Sequence, residues 1–336
     1  MRQFMPRKIY YEPEVRKYPL GCSLLEKYEA MGIDAEEIEN HNRIPQLRKL
    51  PDTELVRLKK YLILGVRKSL RLIPNKLSAD FIVPFTSSGC SAMCLYCYLL
   101  CTFFKGSYLR VFVNREEIMK TICRKAAHLT SSTVFELGSN SDLILENTVT
   151  GNLPWVVEQF ARLPNATATL ATKFHMVDDL LDLNHQGHTQ FRISVNPQEI
   201  IRQVEIGTST LKERITAANK LYQAGYRVGI NIAPVILLEE WKDLYTGMFR
   251  TLNQGLEEGL KQQAFVEIIF MTYGQANRII NPAALPGTID LFDKQLMRPK
   301  GRGKYCYRPE VREKAEGFIL EQIRCHLPRA SISYIV

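Results

Sequence analysis

From residue 81 onward, short β-type runs alternate with helical runs, and this alternation limits the folds open to the chain more than any other feature. The strand candidates are 81–85, 133–137, 167–171, 191–195, 228–233 and Phe265–Phe270. Helical periodicity lies between them, over 115–127, 154–162, 177–183, 211–224 and 241–260. Pro154 suits a first helical turn, where its missing N–H costs nothing. Gly225 stands where a helix stop is expected. Strands alternating with helices predict βαβ units around a parallel sheet. Six such units are too few to close an eight-fold barrel, so the expected class is α/β, a partial six-stranded barrel. No repeat period or low-complexity tract interrupts the pattern.

The chain divides on this reading into a leading segment (1–80) that packs on the barrel, the barrel (81–270) and a C-terminal extension (271–336). In the leading segment PLGCSLLEKYEAMG has helical spacing, with Leu20, Leu24, Leu25 and Tyr28 on one side. Basic stretches follow, with Arg57, Lys59 and Lys60, then Arg67, Lys68 and Arg71 within LILGVRKSLRLI. They read as amphipathic helix with a solvated face, or as a phosphate-facing patch. In the extension, Asn281 with Pro282 and Pro286 with Gly287 mark loops. Then MRPKGRGKYCYR carries Arg298, Lys300, Arg302, Lys304 and Arg308, interleaved with Tyr305 and Tyr307. Gly301 and Gly303 permit a tight turn between two short arms. Cations that neutralise phosphates beside rings that stack on bases make this the most nucleic-acid-like stretch, against a merely solvated basic loop. A helix over 311–325 and a β-type tail over 332–336 close the chain.

Barrels of this kind keep their chemistry where strands end. After the first strand candidate comes GCSAMCLYCY, with Cys90, Cys94 and Cys97 in C-x3-C-x2-C spacing. Three thiolates this close can hold three irons of a [4Fe–4S] cluster and leave the fourth without a protein ligand, where four cysteines are usual. Zinc is the competing reading, but zinc sites pair C-x2-C with a second pair of Cys or His at short range, and only Cys101 follows. The other strand ends offer Glu136, Ser139, Ser141 and Asp142, then Lys173, then Ser194, then Ala233. Small and polar residues there suit a cofactor lying across a barrel mouth. Ser and Asp that simply cap the next helices are the plainer alternative.

Composition adds boundaries. The 336 residues are 46% hydrophobic and 24% charged, ordinary for a globular protein. No apolar run approaches the ~20 residues that span a bilayer, so no membrane partner is expected. Eight cysteines without a secretory signal point to a reducing, cytoplasmic setting. The net charge of +9 favours a polyanionic partner, nucleic acid first, with solubility charge as the alternative.

Taken together, the blocks YYEPEVRKYPLG, LGVRKSL, GCSAMCLYCYL, FELGSNSD, ATKFHMVDDLLD, QFRISVN, GYRVGINIAPV and GKYCYR resemble the spore photoproduct lyase family of radical S-adenosylmethionine (SAM) enzymes. The resemblance covers nearly the whole chain in the family's order. It implies a partial (βα)6 TIM-like barrel of the radical SAM type. It implies a [4Fe–4S] cluster on Cys90, Cys94 and Cys97, and SAM contacts at Tyr98, Ser141, Lys173, Ser194 and Ala233. One of the aromatics Tyr96 and Tyr98 would pack near the adenine, and both count among the catalytic candidates.

The implied reaction is repair of DNA carrying the spore photoproduct, 5-thyminyl-5,6-dihydrothymine. A 5′-deoxyadenosyl radical abstracts a ring hydrogen, the crosslink fragments, and a cysteine quenches the thymine radical. The lesion must leave the stack, as for other enzymes acting on bases. The family's wedge matches residues 297–307, with Arg298, Lys300, Arg302, Lys304, Tyr305 and Tyr307 as the DNA-binding set. An electron donor such as flavodoxin or ferredoxin, a monomeric state and a place in the cytoplasm or spore core complete the expectation.

One departure stands out. Many members carry FEAACTSD, and their hydrogen-donating cysteine is matched here by Ser139. Some clostridial members use an upstream cysteine, matched here by Asn75. Cys306 and Cys101 are therefore the candidate replacement donors. A paralogue acting on another substrate is the alternative.

Overall fold

The computed structural model describes residues 4–84, 86–103 and 106–336. Residue 85, the end of the first expected strand, lies outside them. The chain forms two compact units. One comprises Met1–Ser91, Phe103–Leu170 and Asp179–Gln190; the other comprises Ala92–Thr102, Ala171–Asp178 and Phe191–Val336.

The first unit has a small sheet in which strand Lys8–Tyr11 lies between Ala35–Glu37 and Tyr61–Gly65, both parallel to it. Leu109–Phe112 continues the sheet in parallel, and Ser87–Ser88 ends it antiparallel. Helix Pro19–Ala30 forms where its leucine spacing predicts, and buries Leu24, Leu25 and Tyr28 against Ile9, Leu62, Leu64 and Val111. The stretch expected as an amphipathic helix is instead the wholly buried strand Tyr61–Gly65, followed by irregular chain to Arg71. A strand covered on both faces reads as an unbroken apolar run, which periodicity cannot tell from a helix. The packing is tight at the strand's end, where a Cβ on Gly65 would meet the His41 ring at 2.8 Å.

The same unit carries the first βα elements. Phe81–Ile82 pairs in parallel with Thr133–Glu136, and that strand pairs in parallel with Ala166–Thr172. Helix Leu143–Thr150 starts at an Asp142 cap, whose carboxylate accepts from the Ile144 and Leu145 N–H groups. It stops at Gly151 with φ 61°, and Asn152–Phe160 follows.

In the second unit, Arg227–Val235 pairs in parallel with Phe265–Phe270, which pairs in parallel with the tail strand Ser331–Ile335. Thr189–Val195 is wholly buried. Leu211–Gln223 begins with a Thr210–Glu213 capping box and ends before Gly225, φ 86°. All six expected strands are therefore present, five of them within two residues of the expected limits; the first is only Phe81–Ile82, with 83–84 irregular.

Three helical expectations change. Over 177–183 there is only a single 3-10 turn, Asp178–Leu180, because Asp179 bonds to Asn147 and only Val177 and Leu180 find cover. The long helix over 241–260 is two, Trp241–Gly255 and Glu258–Gln263, parted at Leu256 in an extended conformation. Asn281 and Pro282 lie inside helix Gln275–Ala284 rather than in a loop. Pro282 removes one helical bond, yet the buried face of Asn277, Ile280, Asn281 and Ala284 keeps the helix intact.

The hairpin forms as expected. Met297–Gly301 and Lys304–Tyr307 pair antiparallel, with Gly301, Arg302 and Gly303 all at positive φ in the turn. A third strand, Thr272–Gly274, joins the hairpin. Among the described residues no helix is long and apolar enough to cross a membrane.

Candidate cluster and cofactor site

The three motif cysteines sit in short, strongly tethered chain. Cys90 follows Gly89, which has φ 84° and leaves no room for a side chain, since a Cβ would meet the Tyr108 carbonyl oxygen at 1.9 Å. The Cys90 N–H donates to Ser107 O (3.3 Å). Lys59 Nζ donates to Cys90 O (2.9 Å) and Ser107 O (2.8 Å). Lys59 is only 4% exposed, so this lysine of the basic stretch fastens the loop and does not face phosphates.

Cys94 lies in the short strand Met93–Cys94, antiparallel to Glu205–Ile206. The Cys97 N–H donates to Cys94 O (3.0 Å), and helix Tyr98–Phe103 starts at the next residue. All three cysteines are half-buried thiols outside any disulfide. Among the described residues no three His, Cys, Asp or Glu gather tightly enough to hold one metal ion. A cubane asks for something wider, one thiolate on each of three irons. A donor set of thiols alone fits iron–sulfur chemistry.

Beside Cys94 lies a buried polar hub that the sequence did not reveal. Glu205 accepts from the Tyr96 hydroxyl (2.5 Å), Asn196 Nδ2 (2.9 Å) and Arg214 (2.6 Å). Arg214, itself wholly buried, also donates to Ser209 O (2.9 Å), Ser194 O (3.0 Å) and Thr208 Oγ1 (2.7 Å). Lys173 Nζ stands 3.9 Å from Glu205 and donates to Ala233 O (2.9 Å). Burial alone would raise the Glu205 carboxyl, but Arg214 and Lys173 overcome it and hold the group below its ordinary value. Burial beside that carboxylate pushes the Tyr96 phenol well up, so it stays a donor. The hub thus gathers Tyr96, Lys173, Ser194 and Ala233 of the expected set. Tyr98, by contrast, is 49% exposed.

A second carboxylate stands behind Ser141. Ser87 Oγ donates to Glu146 (2.9 Å) and pairs with Ser141 Oγ (2.6 Å). Burial raises the Glu146 carboxyl, against the opposing pull of the Ser87, Thr150 and Thr86 hydroxyls. Asp142 is spent on its helix cap, the plainer of its two readings. Ser139 and Asn75 are both half-buried, and neither position carries a thiol.

Cys101 and Cys306 occupy different settings. The Cys101 thiol donates to Asn277 Oδ1 (2.9 Å), and burial pushes the thiol up. Asn277 Nδ2 donates to Cys97 O (3.2 Å) and Asn281 Nδ2 to Leu95 O (2.7 Å), so one face of helix Gln275–Ala284 holds the cysteine loop. Cys306 lies opposite Thr272 and Arg298 in the three-stranded sheet. It lines a cavity of about 540 Å³ with Thr272, Arg298, Lys300 and Arg312.

On the hairpin, Arg298, Lys300, Arg302 and Lys304 are exposed, and Tyr305 is half-buried against Phe292, with centroids 4.5 Å apart. Tyr307 differs from its expected role. Its ring is 5% exposed and its hydroxyl accepts from the Leu237 N–H (2.9 Å), so it packs the hairpin down rather than meeting bases.

Comparison with known proteins agrees over the full length. The family model for spore photoproduct lyase matches residues 4–336. Spore photoproduct lyase of Bacillus subtilis is 34% identical over 343 residues, covering 98% of each chain. That of Clostridium acetobutylicum is 30% identical over 344 residues, covering 99% of each. A doubly substituted spore photoproduct lyase with bound AdoMet and dinucleoside spore photoproduct superposes with a TM-score of 0.93 at 30% identity, covering all of both chains. Another, complexed with dinucleoside spore photoproduct, gives 0.92 at 31% identity. The fold is accordingly the α/β partial barrel of the radical SAM type, and the chain belongs to the spore photoproduct lyase family.

Proposed function

We propose that this chain is a radical SAM DNA-repair lyase that splits the spore photoproduct back into two thymines. The observation that carries the reading is the three-cysteine loop within a chain similar from end to end to structures holding AdoMet and the lesion. Cys90, Cys94 and Cys97 hold a [4Fe–4S] cluster and leave one iron for SAM, and together they supply, when bound and reduced, a 5′-deoxyadenosyl radical for hydrogen abstraction. Ser141, Lys173, Ser194, Ala233 and Tyr98 contact SAM. Glu205 and Arg214 act through others: they hold Tyr96, Ser194 and the strand that carries Cys94. Arg298, Lys300, Arg302 and Lys304 take DNA phosphates, and Tyr305 supports the wedge.

The hydrogen atom returned to thymine comes from a thiol. An O–H bond is much stronger than S–H, so Ser139 cannot give it. Cys306 is favoured, since it lines an open cavity among cations, whereas the Cys101 S–H is already committed to Asn277. A one-electron donor such as flavodoxin or ferredoxin supplies the reductant, and the chain works as a monomer in the cytoplasm or spore core.

Oxygen-free reconstitution followed by metal analysis and a SAM-cleavage assay tests the proposal. Four irons per chain and reductive release of 5′-deoxyadenosine are expected. Zinc in their place, or a cluster that leaves SAM intact, overturns it. Ser139 favours a second reading, a paralogue with the same radical machinery and another substrate. Active cleavage of SAM with no effect on the lesion would select that reading.

A further inference from the structure

Cys101 extends the cysteine run to C-x3-C-x2-C-x3-C, a fourth nearby thiol where cubanes are usually held by four cysteines. It lies four residues beyond Cys97, and the helix begins between them at Tyr98. A helical turn is about 3.6 residues, so Cys101 lies roughly one turn along the chain from Cys97, which stands just before the helix. A free thiol there would compete with SAM for the iron that the proposed site leaves open. Capping would break the S–H bond, release the proton to water and form an S–Fe bond in place of SAM.

The structure ties this thiol elsewhere. Asn277 is wholly buried, and its amide is fixed at both ends. Its nitrogen meets the Cys97 carbonyl, which can only accept (3.2 Å). Its oxygen therefore faces Cys101, whose S–H must be the donor (2.9 Å). Gly274 closes the other side: a Cβ at that position would stand 2.3 Å from the Cys101 sulfur. The thiol rests against a bare Cα, and its one proton points into an amide oxygen.

We propose that Asn277 and Gly274 form a lock that holds Cys101 as a hydrogen-bonded thiol, off the open iron, and so reserve that iron for SAM. The inference rests on the reading that Cys90, Cys94 and Cys97 hold the cluster. Asn277 is a positioning residue in this account. It touches the backbone of one ligand and the side chain of a rival ligand.

Two measurements test the lock. In the metal-free, reduced chain, alkylation of Cys101 by iodoacetamide is followed by peptide mass spectrometry, with exposed Cys325 as internal reference. Asn277→Leu, and independently Gly274→Ala, should speed Cys101 labelling about five- to tenfold, the effect of releasing one hydrogen bond. Unchanged labelling in both variants overturns the lock.

In the reconstituted protein, SAM should shift the electron paramagnetic resonance of the reduced native cluster. The shift should persist in Cys101→Ala, be lost in Asn277→Leu, and return in the Asn277→Leu, Cys101→Ala double variant. Iron loss in Cys101→Ala, a retained shift in Asn277→Leu, or no recovery in the double variant contradicts the proposal. A native cluster that ignores SAM sinks the functional reading itself, and the metal-free labelling distinguishes that failure from failure of the lock.

Discussion

Glu205 and Arg214 are both wholly buried, and each is the main compensation for the other's lost hydration. Removing Arg214 breaks the close buried pair and leaves Glu205 to the more distant Lys173, 3.9 Å away, and breaking such a pair costs about 3–5 kcal/mol. Arg214→Met should therefore lower unfolding stability by about that amount in urea titration. A loss under about 1 kcal/mol would show that water reaches the hub.

The two buried glutamates respond to pH with opposite signs. Glu205 titrates below an ordinary glutamate when folded, so its stabilisation is complete above about 4.3 and is lost as pH falls through the lower folded value. Glu146 titrates above it, so its burial costs stability as pH rises from about 4.3 through the raised folded value. Glu146→Gln should flatten that rise in cost, seen as a smaller loss of melting temperature between acid and neutral pH than in the native chain.

The donor question is also one of single residues. Cys306→Ala should shift products from intact thymine to abortive adducts, and Ser139→Cys in that background should restore thymine. No change in Cys306→Ala would remove Cys306 as the donor. The cysteine triplet was legible because its ligand chemistry is local in sequence. Glu205 was not legible, since it meets Tyr96 across 109 positions and no local pattern announces such a partner.

Among the elements, the hairpin tests most cleanly. Its turn needs positive φ at three successive residues, and two are glycines. Arg298, Lys300, Arg302 and Lys304 all point to solvent. Lys300→Ala should weaken DNA binding evenly across sequences and reduce the slope of log affinity against log salt by about 0.9, the loss of one phosphate contact. A slope that does not change would place Lys300 off the DNA path. This element was readable because glycine spacing dictates the turn and charge marks the arms. Tyr307 was misplaced because alternation puts Tyr305 and Tyr307, two residues apart, on the same face of the strand, and only packing decides that Tyr307 is covered there while Tyr305 is half-buried. The same limit explains Tyr61–Gly65, where burial on both sides erased the periodicity that separates strand from helix.

At the scale of the whole molecule, a net charge of +9 and family membership from residue 4 to 336 point the same way, toward a lesion in a polyanion. The alternation of strands and helices carried the fold class, while the small sheet of Lys8–Tyr11, Tyr61–Gly65 and Leu109–Phe112 went unread because its strands are far apart in the chain. The chemistry assigned to that fold stands or falls on turnover. Dinucleoside spore photoproduct, SAM and a strong reductant are incubated with the native chain without oxygen, and the products are separated by chromatography. Intact thymine product is expected, dependent on SAM and abolished in Cys97→Ala; 5′-deoxyadenosine accumulating while the lesion stays whole would contradict the repair reaction.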